Sequence, residues 1–172
     1  MILILCRKTG LLFRLGLFAV LFSVPFSVPL FAQAGARLQA LLNQDAISWS
    51  DAAYFVLQSS EPDGYNSMQG ASDPSAAFGF AAEQKWLPNG AAPGDTVPLN
   101  GVALLLMRSF DLKGGIFYSI TKSPHHAYRE LVSMEVIRGR TDPDMHVSGQ
   151  QLLLLTNRLL SKREEALKAV QK

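Results

Sequence analysis

The chain has 172 residues, of which 48% are hydrophobic and 17% are charged, and this length is sufficient for one compact domain with its own core. Its 16 Lys and Arg against 14 Asp and Glu exclude the strongly basic footprint of a nucleic-acid-binding protein. The single cysteine is Cys6, which excludes a disulfide framework and a cysteine metal site in the rest of the chain.

The first 34 residues have the pattern of a signal peptide. Arg7, Lys8 and Arg14 precede an apolar run that ends in Ala32-Gln33-Ala34, the small-residue form that signal peptidase prefers. We therefore predict cleavage after Ala34 and an exported protein, periplasmic or associated with the cell envelope. The alternative is an uncleaved anchor, since the apolar run is nearly long enough to span a bilayer. Only this alternative makes the membrane a partner.

The basic excess of the chain belongs to this leader, because Gly35 to Lys172 carries 13 basic and 14 acidic residues. The charge of that part is uneven: the stretch from Lys122 to Lys172 has nine basic and six acidic residues. Such a stretch suits an anionic envelope polymer or lipid surface. The alternative is an ordinary solvated helix face.

The helices are predicted in chain order from their start signals, in units of about 36–60, 74–110 and 124–160. In the first, incomplete unit an apolar helix follows Ser48 or Ser50. Each complete unit opens with a helix at Pro74 or Pro124, where a missing N–H costs nothing, and Ser123 is a candidate N-cap.

These first helices are predicted to end near Asn89-Gly90 and Arg138-Gly139, since glycine supplies the left-handed cap conformation. A second, strongly apolar helix then covers Val102 to Met107 or Leu152 to Leu155, and the last one extends to about residue 170. The spacers Glu61 to Asp73 and Asp111 to Lys122 are predicted as loops, the second with a tucked or short extended piece.

The units match at a fixed offset of fifty residues. The matched pairs are Pro74/Pro124, Ala77/Ala127, Phe78/Tyr128, Leu87/Ile137, Pro93/Pro143, Val97/Val147, Leu104/Leu154, Leu105/Leu155 and Arg108/Arg158, and Ile47 precedes Val97 by the same interval. A repeat of this length is typical of one supersecondary unit that stacks on its neighbours to bury its apolar face. We predict an all-α fold in which residues 35–172 form a single helical domain of three degenerate helix–loop–helix repeats.

The last unit, HAYRELVSMEVIRGRTDPDMHVSGQQLLLLTNRLL, resembles the S-layer homology repeat, and FGFAAEQKWLPNGAAPGDTVPLNGVALLLMRSF does so more weakly. An aromatic residue and an alanine (Ala127-Tyr128, in reversed order) start its first helix, Val136 to Gly139 ends it, and Asp142-Pro143-Asp144 leads to Val147-Ser148. The resemblance implies helical modules packed around a pseudo-threefold axis and non-covalent attachment to cell-wall polysaccharide.

The chain departs from that family at the start of the second helix, where the family places Arg-Ala-Glu. Here the three units have Trp49-Ser50-Asp51, Leu99-Asn100-Gly101 and Gly149-Gln150-Gln151. The resemblance therefore supports the fold more than the ligand.

The candidate binding residues are Arg108, Arg158, Trp49, Arg138 and Arg140. The matched pair Arg108 and Arg158 suits a carboxylate or phosphate, and the alternative is a favourable interaction with the helix dipole. Trp49 is a possible platform for a sugar ring, since aromatic faces stack on the apolar faces of sugars. Arg138 and Arg140 belong to the basic C-terminal third.

No metal and no cofactor is predicted. Asp142 and Asp144 lack further acidic neighbours for calcium, and the adjacent His125 and His126 point in different directions. His146 adds only a third imidazole on a loop surface.

The motifs of hydrolases, zinc proteases, phosphate loops and dinucleotide-binding folds are missing, so we predict a protein that is not an enzyme. We predict an exported scaffold or adaptor that binds cell-wall polysaccharide, peptidoglycan or another envelope protein. The alternative is a soluble carrier whose leucine-rich helices enclose an apolar ligand such as a lipid. The sequence indicates no oligomeric state.

Overall fold

The computed structural model describes residues 30–60 and 73–170, with side chains from 35 to 60 and from 73 to 169. The chain divides into two compact units, Met1–Ala36 and Arg37–Lys172, and the second contains the hydrophobic core from Leu41 to Leu159. Most of the predicted signal peptide and nearly all of the predicted loop Glu61 to Asp73 lie outside the described residues.

The described residues form seven α-helices and no β-strand, which confirms the predicted all-α class. The helices are α1 Leu30–Leu42, α2 Trp49–Ser60, α3 Pro74–Glu83, α4 Leu99–Ser109, α5 Ile116–Thr121, α6 Pro124–Ser133 and α7 Gly149–Val170. Two isolated antiparallel bridges, Ser48 with Thr96 and Pro98 with His146, connect the segments that precede α2, α4 and α7.

The predicted helix starts at Pro74 and Pro124 are confirmed, and the Ser123 side chain caps α6 by accepting a hydrogen bond from the His126 N–H. Ser148 forms a capping box with Gln151: its hydroxyl accepts from the Gln151 N–H at 3.2 Å, and the Gln151 side chain accepts from the Ser148 N–H at 3.0 Å.

The helices α3 and α6 end earlier than predicted, at Glu83 and Ser133 rather than near the two glycines. Lys85 and Glu135, fifty residues apart, both take the left-handed conformation with φ of 57°. The Val136 N–H then donates back to the Leu131 carbonyl at 2.9 Å, and the Trp86 N–H donates to Ala81 at the same distance. This is the Schellman arrangement, in which the half-buried Trp86 and the buried Val136 follow the two turns, so these helix ends need no glycine.

Three backbone hydrogen bonds join the chain into a closed ring at its centre. The Ile47 N–H donates to the Val147 carbonyl at 2.9 Å, the Val147 N–H to Val97 at 3.1 Å, and the Val97 N–H to Ile47 at 3.0 Å. All three side chains are buried, and these residues are fifty positions apart. We call this set the hydrogen-bonded ring.

The ring sets the starting points of three helices. The Trp49 N–H donates to the Asp95 carbonyl at 3.1 Å, and the Leu99 N–H donates to Met145 at 2.9 Å. The Gly149 N–H donates to the Gln44 carbonyl at 3.0 Å, so the first N–H of each of the three helices is bonded to another segment of the chain. Because the first N–H groups of a helix lack partners within it, these bonds satisfy the ends of α2, α4 and α7.

The central helix α4 packs on α2 and α6, and α2 packs on α3 and α7. Every residue from Gly101 to Met107 is buried, which confirms the predicted core role of this apolar run. Burial of each large aliphatic side chain contributes about 1.5–3 kcal/mol relative to exposure. The matched run in α7 is less enclosed, since Leu152 and Leu155 are buried but Leu154 is exposed.

The segment Asp111 to Lys122, predicted as a loop with an extended piece, contains the short helix α5. Gly115 precedes it in extended conformation, and Lys122 ends it with a left-handed φ of 46°. The hydroxyls of Ser119 and Thr121 donate to carbonyls one turn earlier, at 3.0 and 2.8 Å, so polar residues typical of loops satisfy helical backbone here.

Substitution of two glycines of the helical domain by alanine should change the free energy of unfolding in opposite directions. A Cβ at Gly149 would collide with the Leu41 carbonyl oxygen, whereas a Cβ at Gly79 in α3 would meet nothing within 4 Å. We expect Gly149→Ala to lower the free energy of unfolding by about 1–3 kcal/mol. Gly79→Ala should raise it by about 0.5–1 kcal/mol, because alanine loses less backbone entropy in a helix. Urea unfolding followed by circular dichroism measures both, and equal effects would contradict the close packing of α1 on α7.

Candidate cationic cavities around Arg108

Arg108 lies in the last turn of α4, between two cavities that the surrounding helices form. The first has a volume of about 740 Å³ and lies between α3, α4 and the start of α6. Its charged lining residues are Lys85, Arg108 and Lys122, and all of its other described lining residues are neutral. We call this space the cationic cavity.

The second cavity, of about 500 Å³, shares Arg108 and Lys122 with the first and adds Arg163 from α7. Asp111 and the phenol of Tyr118 also line it. The two cavities together therefore gather four cations and one carboxylate, an arrangement that favours an anionic ligand.

The Arg108 guanidinium is partly buried, and its Nε has no hydrogen-bond partner among the described residues. A buried donor without a partner is unfavourable by about 1–3 kcal/mol. Arginine is suited to this task because its planar guanidinium always carries charge and presents several donors.

Tyr118 faces Arg108 from α5, and its side chain is only 4% exposed. Burial raises the pKa of this phenol above its ordinary value, and the positive charge of Arg108 beside it opposes the increase. The neutral phenol is thus the form that the fold favours at neutral pH.

Arg158 lines a third, smaller cavity of about 110 Å³ at the matching place on α7. Five pairs of residues fifty positions apart have one member lining the cationic cavity and the other lining this cavity: Leu87/Ile137, Pro88/Arg138, Ala91/Thr141, Leu104/Leu154 and Arg108/Arg158. Arg158 differs from Arg108 because its Nη1 donates to the Val136 carbonyl at 3.1 Å. The matched arginine therefore supports the turn after α6.

The other predicted binding residues lie away from the cationic cavity. Trp49 is 3% exposed and packs against Gly101, where an added Cβ would lie 2.6 Å from the Trp49 Cη2 atom. Its burial excludes the predicted role as an exposed sugar platform. Arg138 is exposed, lines the third cavity and donates from Nε to the Glu135 carbonyl at 3.0 Å. Arg140 is exposed on the loop that follows.

The acidic and histidine side chains noted in the sequence have structural partners. Asp144 accepts a hydrogen bond from the Asn100 side chain at 2.8 Å, and Asp142 accepts from the Asp144 N–H at 2.9 Å. His126 Nδ1 lies 2.8 Å from both the Thr121 and the Ser123 hydroxyl oxygens. Within residues 30–60 and 73–170 there is no group of three or more potential ligands that could hold a metal ion.

Sequence reasoning missed Lys85 and Lys122 as members of the site. Both lie immediately beyond the end of a helix in left-handed conformation, where lysine is uncommon. Such positions look like ordinary turns in the sequence. Only the tertiary packing, with α3 on α2 and α5 on α6, brings the two lysines to the cavity that Arg108 lines.

Comparisons with family models, with curated proteins and with solved structures give no match for this chain. In the part of the chain that the structure describes, no helix is both long and apolar enough to cross a membrane.

The buried phenol predicts a pH dependence of stability at alkaline pH. In the unfolded chain Tyr118 titrates near its ordinary value of 10.0, and its pKa is higher in the folded protein. Its contribution is therefore fully present below about pH 10 and is lost as the pH rises through the folded-state pKa. The free energy of unfolding should fall more steeply above pH 10 in the wild type than in Tyr118→Phe. Urea titrations from pH 8 upward measure the two slopes, and parallel curves would contradict the burial of the phenol.

Proposed function

We propose that this protein is an exported, non-enzymatic scaffold of the cell envelope that binds an acidic wall polymer through the cationic cavity. Three degenerate modules resembling S-layer homology repeats form its helical domain in this proposal. The observation that carries the ligand class is the convergence of Lys85, Arg108 and Lys122 on one cavity whose other described lining residues are neutral. The leader supports export.

The threefold contacts support the modular part of the proposal. The matched residues Ile47, Val97 and Val147 form the hydrogen-bonded ring, and α2, α4 and α7 start fifty residues apart. Each of α2 and α4 also packs on the first helix of the following unit, α3 and α6 respectively. This is the arrangement expected when incomplete units bury their apolar faces against one another.

The proposed ligand contact is at the other end of α4 from the residues where the resembled family has its arginine. Asn100, near the start of α4, is occupied by its hydrogen bond to Asp144. Arg108 follows eight residues later, about 12 Å along the helix axis. The cationic cavity thus offers this chain an arginine that its Leu99-Asn100-Gly101 segment lacks.

The apolar side chains that motivate the carrier alternative have another explanation. The side chains from Val102 to Met107 and those of Leu152 and Leu155 pack against each other in the core. Their density is explained by the centre of the helical domain, with no apolar ligand required.

Removal of the Arg108 charge should weaken wall binding. We expect Arg108→Gln to reduce co-sedimentation of residues 35–172 with washed cell-wall sacculi by about tenfold in apparent affinity, as for loss of one charge-assisted hydrogen bond. Binding of the unaltered protein should also fall as salt rises from 50 to 500 mM, because salt screens the attraction between exposed charges.

Arg129→Gln is the matched control, since it removes the same charge from an exposed position on α6 outside the three cavities. It should bind sacculi nearly as well as the unaltered protein. If both variants lose the same affinity for sacculi, binding depends on the net charge of the protein alone, and this result would contradict a defined site. If the unaltered protein does not sediment with sacculi, the wall polymer is rejected as the ligand. Crosslinking would then be used to search for an envelope protein as the partner.

A further inference from the structure

The short helix α5 presents three large apolar side chains to solvent. Ile116, Phe117 and Ile120 are 77%, 72% and 76% exposed, the highest values among the exposed large hydrophobic residues of the described chain. Large apolar side chains grouped in this way mark a surface that meets another apolar phase. None of these three residues lines the cationic cavity, although Thr121 at the end of α5 does, so the proposed wall contact leaves the three unused.

The opposite side of α5 is fixed to the domain. Tyr118, on the same helix, is buried against the core, and α5 packs on α6. The Phe117 ring stacks on His126, with centroids 6.0 Å apart and planes inclined by 14°. The helix is therefore held in place while its apolar side chains project.

Two side-chain hydroxyls of α5 donate hydrogen bonds to its own backbone. The Thr121 hydroxyl donates to the Phe117 carbonyl at 2.8 Å, the Ser119 hydroxyl donates to Gly115 at 3.0 Å, and the Lys122 N–H donates to Tyr118 at 2.7 Å. These bonds are kept when the helix contacts an apolar phase, which lowers the cost of removing the two hydroxyls from water.

The charge along the chain around α5 is mainly positive, with the Asp111 and Glu130 carboxylates at its edges. Between Asp111 and Glu130 the sequence has no acidic residue and carries Lys113, Lys122 and Arg129. Lys113 and Lys122 flank the apolar residues of α5 on both sides along the chain. Apolar side chains with basic residues at their edges are the composition of segments that bind anionic membrane surfaces.

We propose that α5 is a docking element for the surface of an anionic phospholipid bilayer. Ile116, Phe117 and Ile120 enter the boundary between headgroups and acyl chains, and Lys113 and Lys122 remain with the lipid phosphates. A bilayer is the occupant that fits, because it accepts projecting side chains without a complementary recess and its negative charge matches the basic flanks. Lys122 also lines the cationic cavity, whereas the apolar residues of α5 and Lys113 take no part in the wall-binding proposal.

The test uses the full chain with tryptophan placed at Phe117 and vesicles that contain acyl-brominated phosphatidylcholine, with or without 30% phosphatidylglycerol. The leader is common to all variants, so membrane association through it does not distinguish them. We expect bromine to quench Phe117→Trp at least twofold more than it quenches the parent chain, whose Trp49 is buried and whose Trp86 is half-buried. The quenching should increase with phosphatidylglycerol.

Leu167→Trp is the matched control, because Leu167 is 59% exposed but lies on α7 rather than on α5. We expect this variant to be quenched no more than the parent chain. Lys113→Gln in the Phe117→Trp background should lower the quenching by half or more in vesicles with phosphatidylglycerol. It should leave the weaker signal in neutral vesicles unchanged.

Equal quenching at positions 117 and 167 would overturn the proposal, and so would quenching at 117 no greater than in the parent chain. A blue shift of the position 117 fluorescence that rises with protein concentration in the absence of lipid would assign the apolar residues to a second copy of this chain instead. The triple variant Ile116→Ser, Phe117→Ser and Ile120→Ser provides a separate check. It should keep the helical circular dichroism signal, since these side chains are outside the core, while its vesicle binding through α5 is lost.

Discussion

Backbone hydrogen bonding between Ile47, Val97 and Val147 is the constraint on which the arrangement of the domain depends. Each residue donates to one partner and accepts from the other, so three distant segments satisfy one another at the buried centre. A buried N–H or carbonyl without a partner is strongly unfavourable. All three segments must therefore be in place together, since displacing one of them leaves buried backbone groups of the other two without partners. The helices α2, α4 and α7 all leave this centre two residues further along the chain, and the apolar run of α4 fills the space between them.

Matching backbone at an interval of fifty residues does not give matching chemistry. The cavities beside Arg108 and Arg158 are lined at corresponding positions, yet one arginine supports a turn and the other keeps a buried Nε without a partner. The difference follows from what surrounds them: α5, with its buried Tyr118, adjoins Arg108, and Lys85 and Lys122 enlarge the positive charge there. The segment that follows α4 thus creates the asymmetry from which a binding site can be built. The same segment carries the exposed apolar residues of α5, so both proposed contacts depend on it.

The features that sequence reasoning predicted are those decided by a few neighbouring residues. Proline at the first helical position and the Ser123 cap mark the starts of α3 and α6, and the apolar run of α4 indicates burial. The predicted helix ends were wrong because Lys85 and Glu135 take the left-handed conformation that glycine usually adopts. The partial burial of Trp86 and the burial of Val136 offset the conformational strain. The helix α5 was missed because Gly114 and Gly115 indicate a loop. Trp49 was assigned to a possible ligand platform, since its burial depends on the distant Gly101. Lys85 and Lys122 gain their significance only from tertiary packing.

The central ring also separates this domain from an open array of stacked units. In an open array each unit contacts only its neighbours, so a partly synthesised chain already contains stable structure. Here Ile47 receives its hydrogen-bond partner only when Val147 has been made, late in the 172-residue chain. Contacts between residues so far apart in sequence slow folding, because the entropy of closing a long loop is lost before the contact forms. The centre of the domain is therefore complete only when all three segments are present, and its formation is expected to be slower than that of an open array.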